Sequence, residues 1–234
     1  MISYSMISRP GSRQCNEDSV EMCTMEGNYV FTLADGLGGH GGGDEASACV
    51  TGEAIDVFRR ERDSNEYLSH AFENAQKGKK EEMKSTMVVL QITEKQIRWG
   101  HIGDSRLYYF HKDRMVSRTL DHSVPQMLAL GGQIKEGEIR HHKDRNKVLR
   151  VLGTPWEGEA YSLADSIEIT GDQAFILCSD GFWELITEKE MEKTLKQSYS
   201  VAQWLEKMEK IVQKHGEGKD MDNYSAICVY IDSK

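Results

Sequence analysis

No stretch of this 234-residue chain is apolar for long: runs such as residues 174–178 fall far short of the roughly 20 residues that span a bilayer. The N-terminus also lacks a basic segment followed by an apolar one, so neither a leader nor a membrane anchor is expected. Positive charge is scarce. Lys and Arg total 29 against 38 Asp and Glu, a net charge of −9. Nucleic-acid binding relies on cations that neutralise phosphates, so no nucleic-acid partner is expected. The five cysteines (15, 23, 49, 178 and 228) are odd in number, have no Cys-x-x-Cys spacing and fall largely within apolar patterns, which excludes a disulfide framework and points to the cytoplasm. Nothing resembles a linker, a repeat or a low-complexity segment, so residues 1–234 read as one domain. Ready-made catalytic motifs are missing too. There is no His-Glu-x-x-His or paired cysteine for zinc and no Gly-Lys-Ser/Thr phosphate loop, and Gly103-Asp104-Ser105-Arg106-Leu107 lacks the second glycine of a nucleophile elbow.

What is present centres on residues 29–47. Tyr-Val-Phe-Thr-Leu-Ala reads as a buried strand, the glycine-rich segment from Gly36 to Gly43 stops it, and Asp44 opens a helix. Asp35 therefore stands where a strand ends, followed by backbone that an ion or phosphate can approach closely. Gly36-x-Gly38-x-x-Gly41 formally matches a dinucleotide fingerprint, with Asp56 placed 20 residues after Gly36. That fold needs further strand–helix–strand units, and strand after strand follows instead. The competing reading makes Asp35 a metal ligand and requires other aspartates at strand ends. Asp104, Asp180 and Asp222 stand there. An all-oxygen donor set suits Mg²⁺ or Mn²⁺.

In order, residues 1–7 read as an edge strand and Arg9-Pro10-Gly11 as a turn. Arg13, five residues before Asp18, is either a surface ion pair or, beside a metal site, a fork for phosphate oxygens. Helices are expected over residues 45–60 and 67–80, and strands over 87–93, 96–103, 106–111 and 115–120, joined by tight antiparallel turns. Ser123 should cap a short helix, and residues 134–150 read as an exposed, mobile, basic loop. A buried strand over 172–178 leads to Ser179-Asp180-Gly181. Capping boxes are read at Thr187/Glu190 and Ser200/Gln203, Trp204 lies on a core stripe, and residues 225–231 close the chain as a strand. The mixture implies an α+β fold of two packed sheets covered by helices.

Eight short motifs follow one another along nearly the whole chain: Arg13-x-x-Asn16-Glu17-Asp18, Asp35-Gly36-Leu37-Gly38-Gly39-His40, Ser85-Thr86, Gly103-Asp104-Ser105-Arg106, Asp121-His122-Ser123, residues 149–153, Ser179-Asp180-Gly181 and Asp222-Asn223. In this order they resemble the metal-dependent type 2C serine/threonine protein phosphatases, especially their compact bacterial members. The resemblance implies a four-layer α/β/β/α sandwich of two mainly antiparallel sheets, with two to three divalent cations (Mn²⁺ or Mg²⁺) at one edge. By matching position, Asp35 would bridge two ions, Asp180 and Asp222 would complete the first, and the Gly36 carbonyl would bind the second. Asp104 with Asp180 would hold a third, Glu17 and Asp18 would hold metal-bound water, and Arg13 would clamp the substrate phosphate. The implied reaction is hydrolysis of phosphoserine and phosphothreonine in proteins by a metal-activated water, without a phosphoenzyme. The implied partners are substrates of a serine/threonine kinase, and the implied state is a monomer.

Two positions depart from the pattern. Leu37 stands where eukaryotic relatives carry a histidine thought to protonate the leaving group, and Lys84 stands where glycine is common. His40 is the nearest candidate acid, with a structural role as the alternative. Asp121, His122 and Ser123 are adjacent and cannot face one another as a triad. Family members vary in a flap at the place of residues 134–147, where Arg140, Lys143, Arg145 and Lys147 would steer acidic substrates. Competing readings are a catalytically weak pseudophosphatase that binds phosphoproteins, and a binuclear hydrolase of another phosphate ester. The full set of metal aspartates favours turnover.

Overall fold

Residues 29–34 are apolar almost without interruption because both faces of their strand are covered. Val30 and Ala34 point to helices, and Phe31 and Leu33 point to a second sheet, as the period of two along a strand dictates. The structure, a computed structural model, describes residues 1–38, 42–78, 83–156, 158 and 160–232. One five-stranded sheet runs in the order β1 (Ile2–Arg9), β10 (Tyr224–Ile231), β9 (Gln173–Cys178), β6 (Arg106–His111) and β7 (Arg114–Arg118). The other runs β2 (Asp18–Met25), β3 (Asn28–Asp35), β4 (Met87–Ile92), β5 (Ile97–Ile102) and β8 (Ser162–Leu163). Every pairing is antiparallel.

Between the sheets, Phe31, Leu33, Val88 and Leu90 meet Leu107, Phe175, Leu177 and Ile227. Trp99 lies 6.0 Å from both Tyr109 and Phe175. Helices α1 (Gly43–Glu61) and α2 (Tyr67–Lys77) cover the outer face of the second sheet through Val50, Phe58 and Phe72. Helices α5 (Glu188–Lys196) and α6 (Val201–Gly216) cover the first sheet through Met191, Trp204 and Met208. The fold is the expected α/β/β/α sandwich. Trp204 is fully buried, with its N–H on the Met191 carbonyl at 3.2 Å, as its stripe requires.

Several local expectations need correction. Residues 18–25, where the sequence predicts no strand, form β2, an edge strand packed against α1. Strands β5 and β6 are not a hairpin: the chain crosses from one sheet to the other through Gly103-Asp104-Ser105. Gly103 makes that crossing at φ +99, where a Cβ would also meet the Thr86 side chain at 2.5 Å. Residues 134–150 are not a free loop. Glu136–His141 is a 3₁₀ helix with Ile139 and Arg140 buried. The Thr187/Glu190 box forms in full, whereas Ser200 caps Gln203 N but Gln203 turns its own side chain to the Tyr199 amide. Of the second predicted helix, residues 79–80 lie outside the described residues, and α2 ends at Lys77.

Candidate active site

Antiparallel pairing brings six chain segments to one edge of the sandwich: the ends of β1, β3, β5 and β9 and the starts of β2 and β10. Register places Asp18 directly opposite Asp35, Arg106 opposite Cys178, and Arg9 opposite Tyr224. The segments beyond these positions line a cleft of about 570 Å³ that contains Arg13, Glu17, Asp35, Gly36, Leu37, Asp104, Asp180, Asp222 and Asn223. The predicted residues are thus brought together, Asp18 lying just beneath; His40 lies outside the described residues.

The segments that carry the carboxylates are held by hydrogen bonds that the β-ladders do not supply. The Asp35 amide donates to Thr86 Oγ1 at 2.9 Å, and its carbonyl accepts from the Thr86 amide and the Ser85 hydroxyl, both at 2.9 Å. Thr86 Oγ1 then meets Ser105 Oγ at 2.7 Å, tying the end of β3 to the crossing that carries Asp104. Asp18 Oδ2 accepts from Ser179 Oγ at 2.7 Å, which links β2 to the residue before Asp180. Asn223 accepts from the Glu17 amide at 2.8 Å and donates to the Pro10 and Cys15 carbonyls at 2.9 Å, so the Arg13 loop is closed against the start of β10. Arg13 grips Asp222 with two prongs at 3.1 and 3.2 Å and stands 3.7 Å from Asp220. The bond and charge of Asp222 raise the Arg13 pKa above its ordinary value.

The electrostatics are those of crowded carboxylates with little water. Burial, then the charge of Asp18 and the other aspartates, pushes Asp35 well above the usual carboxylate range, and burial with Asp180 does the same to Asp104. Burial carries Asp18 up to about 7, and burial with Glu184 and Asp222 nearby carries Asp180 up to about 7. Asp18 Oδ1 is buried without a hydrogen-bond partner. Among the described residues no three acidic side chains are already closed around one point. The set fits divalent cations: hard oxygen donors, an orphaned buried oxygen, and negative charge that dications offset. Gly36 fits as well. A Cβ there would lie 1.8 Å from the Gly43 carbonyl, so the backbone can stay close only because no side chain intervenes.

The two departures become intelligible. Lys84 is exposed and uses only its carbonyl, which accepts from the Leu37 amide at 2.9 Å, so a side chain is tolerated. Leu37 stands 38 % exposed at the cleft and offers no proton. Asp121, His122 and Ser123 form no triad: Asp121 takes the Arg106 fork at 2.7 Å twice, His122 lies 3.0 Å from Ser162 Oγ, and Ser123 caps α3 (Val124–Leu130). The basic flap is largely neutralised. Arg140 is buried and bonds Glu188, Arg145 meets Glu184 at 3.1 Å, and Lys147 meets Asp144 at 2.8 Å. Sequence reading missed Trp183 and the partnership of Arg106 with Asp121. Arg106 was visible only as part of a motif, and no local spacing pairs it with residue 121.

Similarity to known proteins agrees with this geometry. The chain is 27 % identical over 233 residues to a serine/threonine phosphatase, stp, of Listeria welshimeri, covering 93 % of this chain and 90 % of that protein. The fold superposes on the serine/threonine phosphatase Stp1 of Staphylococcus aureus with a TM-score of 0.87 at 23 % identity, covering 100 % and 96 % of the two chains. It also superposes on the catalytic domain of the serine/threonine protein phosphatase PstP in complex with two manganese ions, with a TM-score of 0.80 at 22 % identity over 99 % of each chain. Residues 8–224 match the family model for protein phosphatase 2C, and with the aspartate-lined cleft at its sandwich edge the chain belongs to that family.

Proposed function

We propose that this chain hydrolyses phosphoserine and phosphothreonine in proteins, with divalent cations held among Asp35, the Gly36 carbonyl, Asp180 and Asp222, and a third between Asp104 and Asp180. The observation that carries the reading is the convergence of four aspartates, each from a different chain segment at the sheet edge, on one cleft edged by Arg13. Two manganese ions in the PstP structure support the count of two. Cations bound here would supply Lewis acidity, lowering the pKa of a water and aligning it with phosphorus. The chain's own residues do the rest. Glu17 and Asp18 accept hydrogen bonds from water and so orient it. Arg13 presents a planar fork at the cleft edge, where it can exchange Asp222 for the phosphoryl oxygens and offset the charge growing on them. Leu37 has no proton to give, so the leaving alcohol takes its proton from another donor, His40 or cleft water.

The test is release of phosphate from a phosphothreonine peptide with Mn²⁺ or Mg²⁺, and its loss on adding a chelator. Peptide binding without turnover at any concentration of either ion would instead establish the pseudophosphatase reading.

A further inference from the structure

A buried polar assembly lies behind the cleft, and the reaction as proposed assigns it no part. Its centre is Trp183, 2 % exposed, the last residue of the short helix α4 (Asp180–Trp183). Its indole N–H donates to the backbone carbonyl of Asp104 at 3.0 Å. The Arg106 guanidinium lies over its ring at 3.4 Å, and that of Arg140 lies 5.7 Å from it. Arg140 also donates to the Trp183 carbonyl and to Glu188.

The crossing that carries Asp104 is held at each residue by a different element. Gly103 is held by His122 through bonds of 2.9 and 3.2 Å, and Ser105 by Thr86 at 2.7 Å. Asp104 itself is held by Trp183, which shares one helical turn with Asp180. A single indole bond therefore relates the two carboxylates assigned to the third cation. Trp183 in turn is held by Arg140 of the 3₁₀ helix, which bonds its backbone carbonyl and brings its guanidinium to 5.7 Å from the ring.

We propose that Trp183 is a positioning residue that sets Asp104 against Asp180, and that Arg140 conveys the seating of the 136–141 helix to it. The link to turnover rests on the phosphatase reading; the link between the two loops does not. Trp183→Phe keeps a ring beneath Arg106 and removes the N–H. The Mn²⁺ concentration for half-maximal turnover of p-nitrophenyl phosphate is expected to rise about tenfold, the worth of one hydrogen bond, with the KM for that ester unchanged. In metal-free protein, the amides of residues 104–106 should exchange faster with deuterium. Arg140→Met should loosen residues 136–141 and shift the Mn²⁺ requirement in the same direction, and the double variant should be no worse than Trp183→Phe alone. Additive effects, or exchange at 104–106 equal to that of the wild type in both variants, would overturn the proposal. If Trp183→Phe fails to fold, Arg140→Met alone decides through exchange at 104–106, which lies across Trp183 from the substituted side chain. A wild-type chain with no turnover would refute the phosphatase reading, while the metal-free exchange would still decide the positioning role.

Discussion

At the scale of single residues, the carboxylates of the cleft divide by what surrounds them. Asp35 and Asp222 are assigned to the tightly held ions, and replacing either by Asn removes a charged oxygen donor without changing shape. Each substitution should lower turnover by at least about 100-fold, since even outer partners of a metal ligand cost up to that much, and calorimetry should show weaker Mn²⁺ binding. Asp104→Ala should instead keep two bound Mn²⁺ and lose most turnover, with a raised metal requirement; one remaining ion would place Asp104 in the wrong site. A different residue contributes to the acid sensitivity of the fold. His122 stacks on His101 at 4.6 Å, and burial, then the charges of His101 and Arg150, push its pKa down to about 3. The folded state therefore keeps the imidazole neutral while the unfolded chain takes up a proton. Its contribution is intact above about pH 6.5, the unfolded value, and drains away as pH falls towards the folded value. Thermal unfolding followed across that range should show stability falling with pH, and His122→Gln should flatten the fall.

At the scale of elements, the crossing between sheets is the costly feature. Arg106 enters the buried face of β6, where its fork meets Asp121 at 2.7 Å, its Nη1 donates to Tyr108 at 2.9 Å, and its plane lies on Trp183. Burial and the Arg106 charge act oppositely on the Tyr108 hydroxyl, and burial prevails, carrying it up to about 12. Asp121→Asn leaves the guanidinium buried beside a neutral partner and should destabilise by about 3–5 kcal/mol, read as a lower denaturant midpoint at unchanged slope. The helix caps are worth less. Ser200→Ala removes one bond to the Gln203 amide and should cost about 1 kcal/mol, most of it local to the first turn of α6.

At the scale of the whole molecule, stability and site geometry share one layer. The core between the sheets contains Phe175, Trp99 and Tyr109, with Phe175 and Tyr109 stacked at 5.0 Å. The cleft is the open end of that same layer, so slippage of one sheet on the other would separate Asp35 and Asp18 from Asp180 and Asp222. Phe175→Ala should cost about 3–5 kcal/mol, and exchange protection should fall in β3 and β9 together. Loss confined to the β9 sheet would show that the two sheets open separately.

The sequence by itself determined the strands that are buried on both faces, the amphipathic helices and their caps, because each writes its period into a few consecutive residues. It also marked candidate side chains: Asp35, Asp104 and Asp180 stand at strand ends beside glycines, and Asp222 stands just before the last strand, a local signal. Only the tertiary structure decided where the chain changes sheets at residues 103–105, since a tight connection reads the same whether the next strand pairs with its predecessor or not. Only the tertiary structure, too, buried Arg140 and gave the basic flap acidic partners. The partners of Arg140 and Arg145 are Glu188 and Glu184, 48 and 39 residues away. Charge pairing over that distance leaves no periodicity along the chain; it exists once packing has brought the two surfaces together.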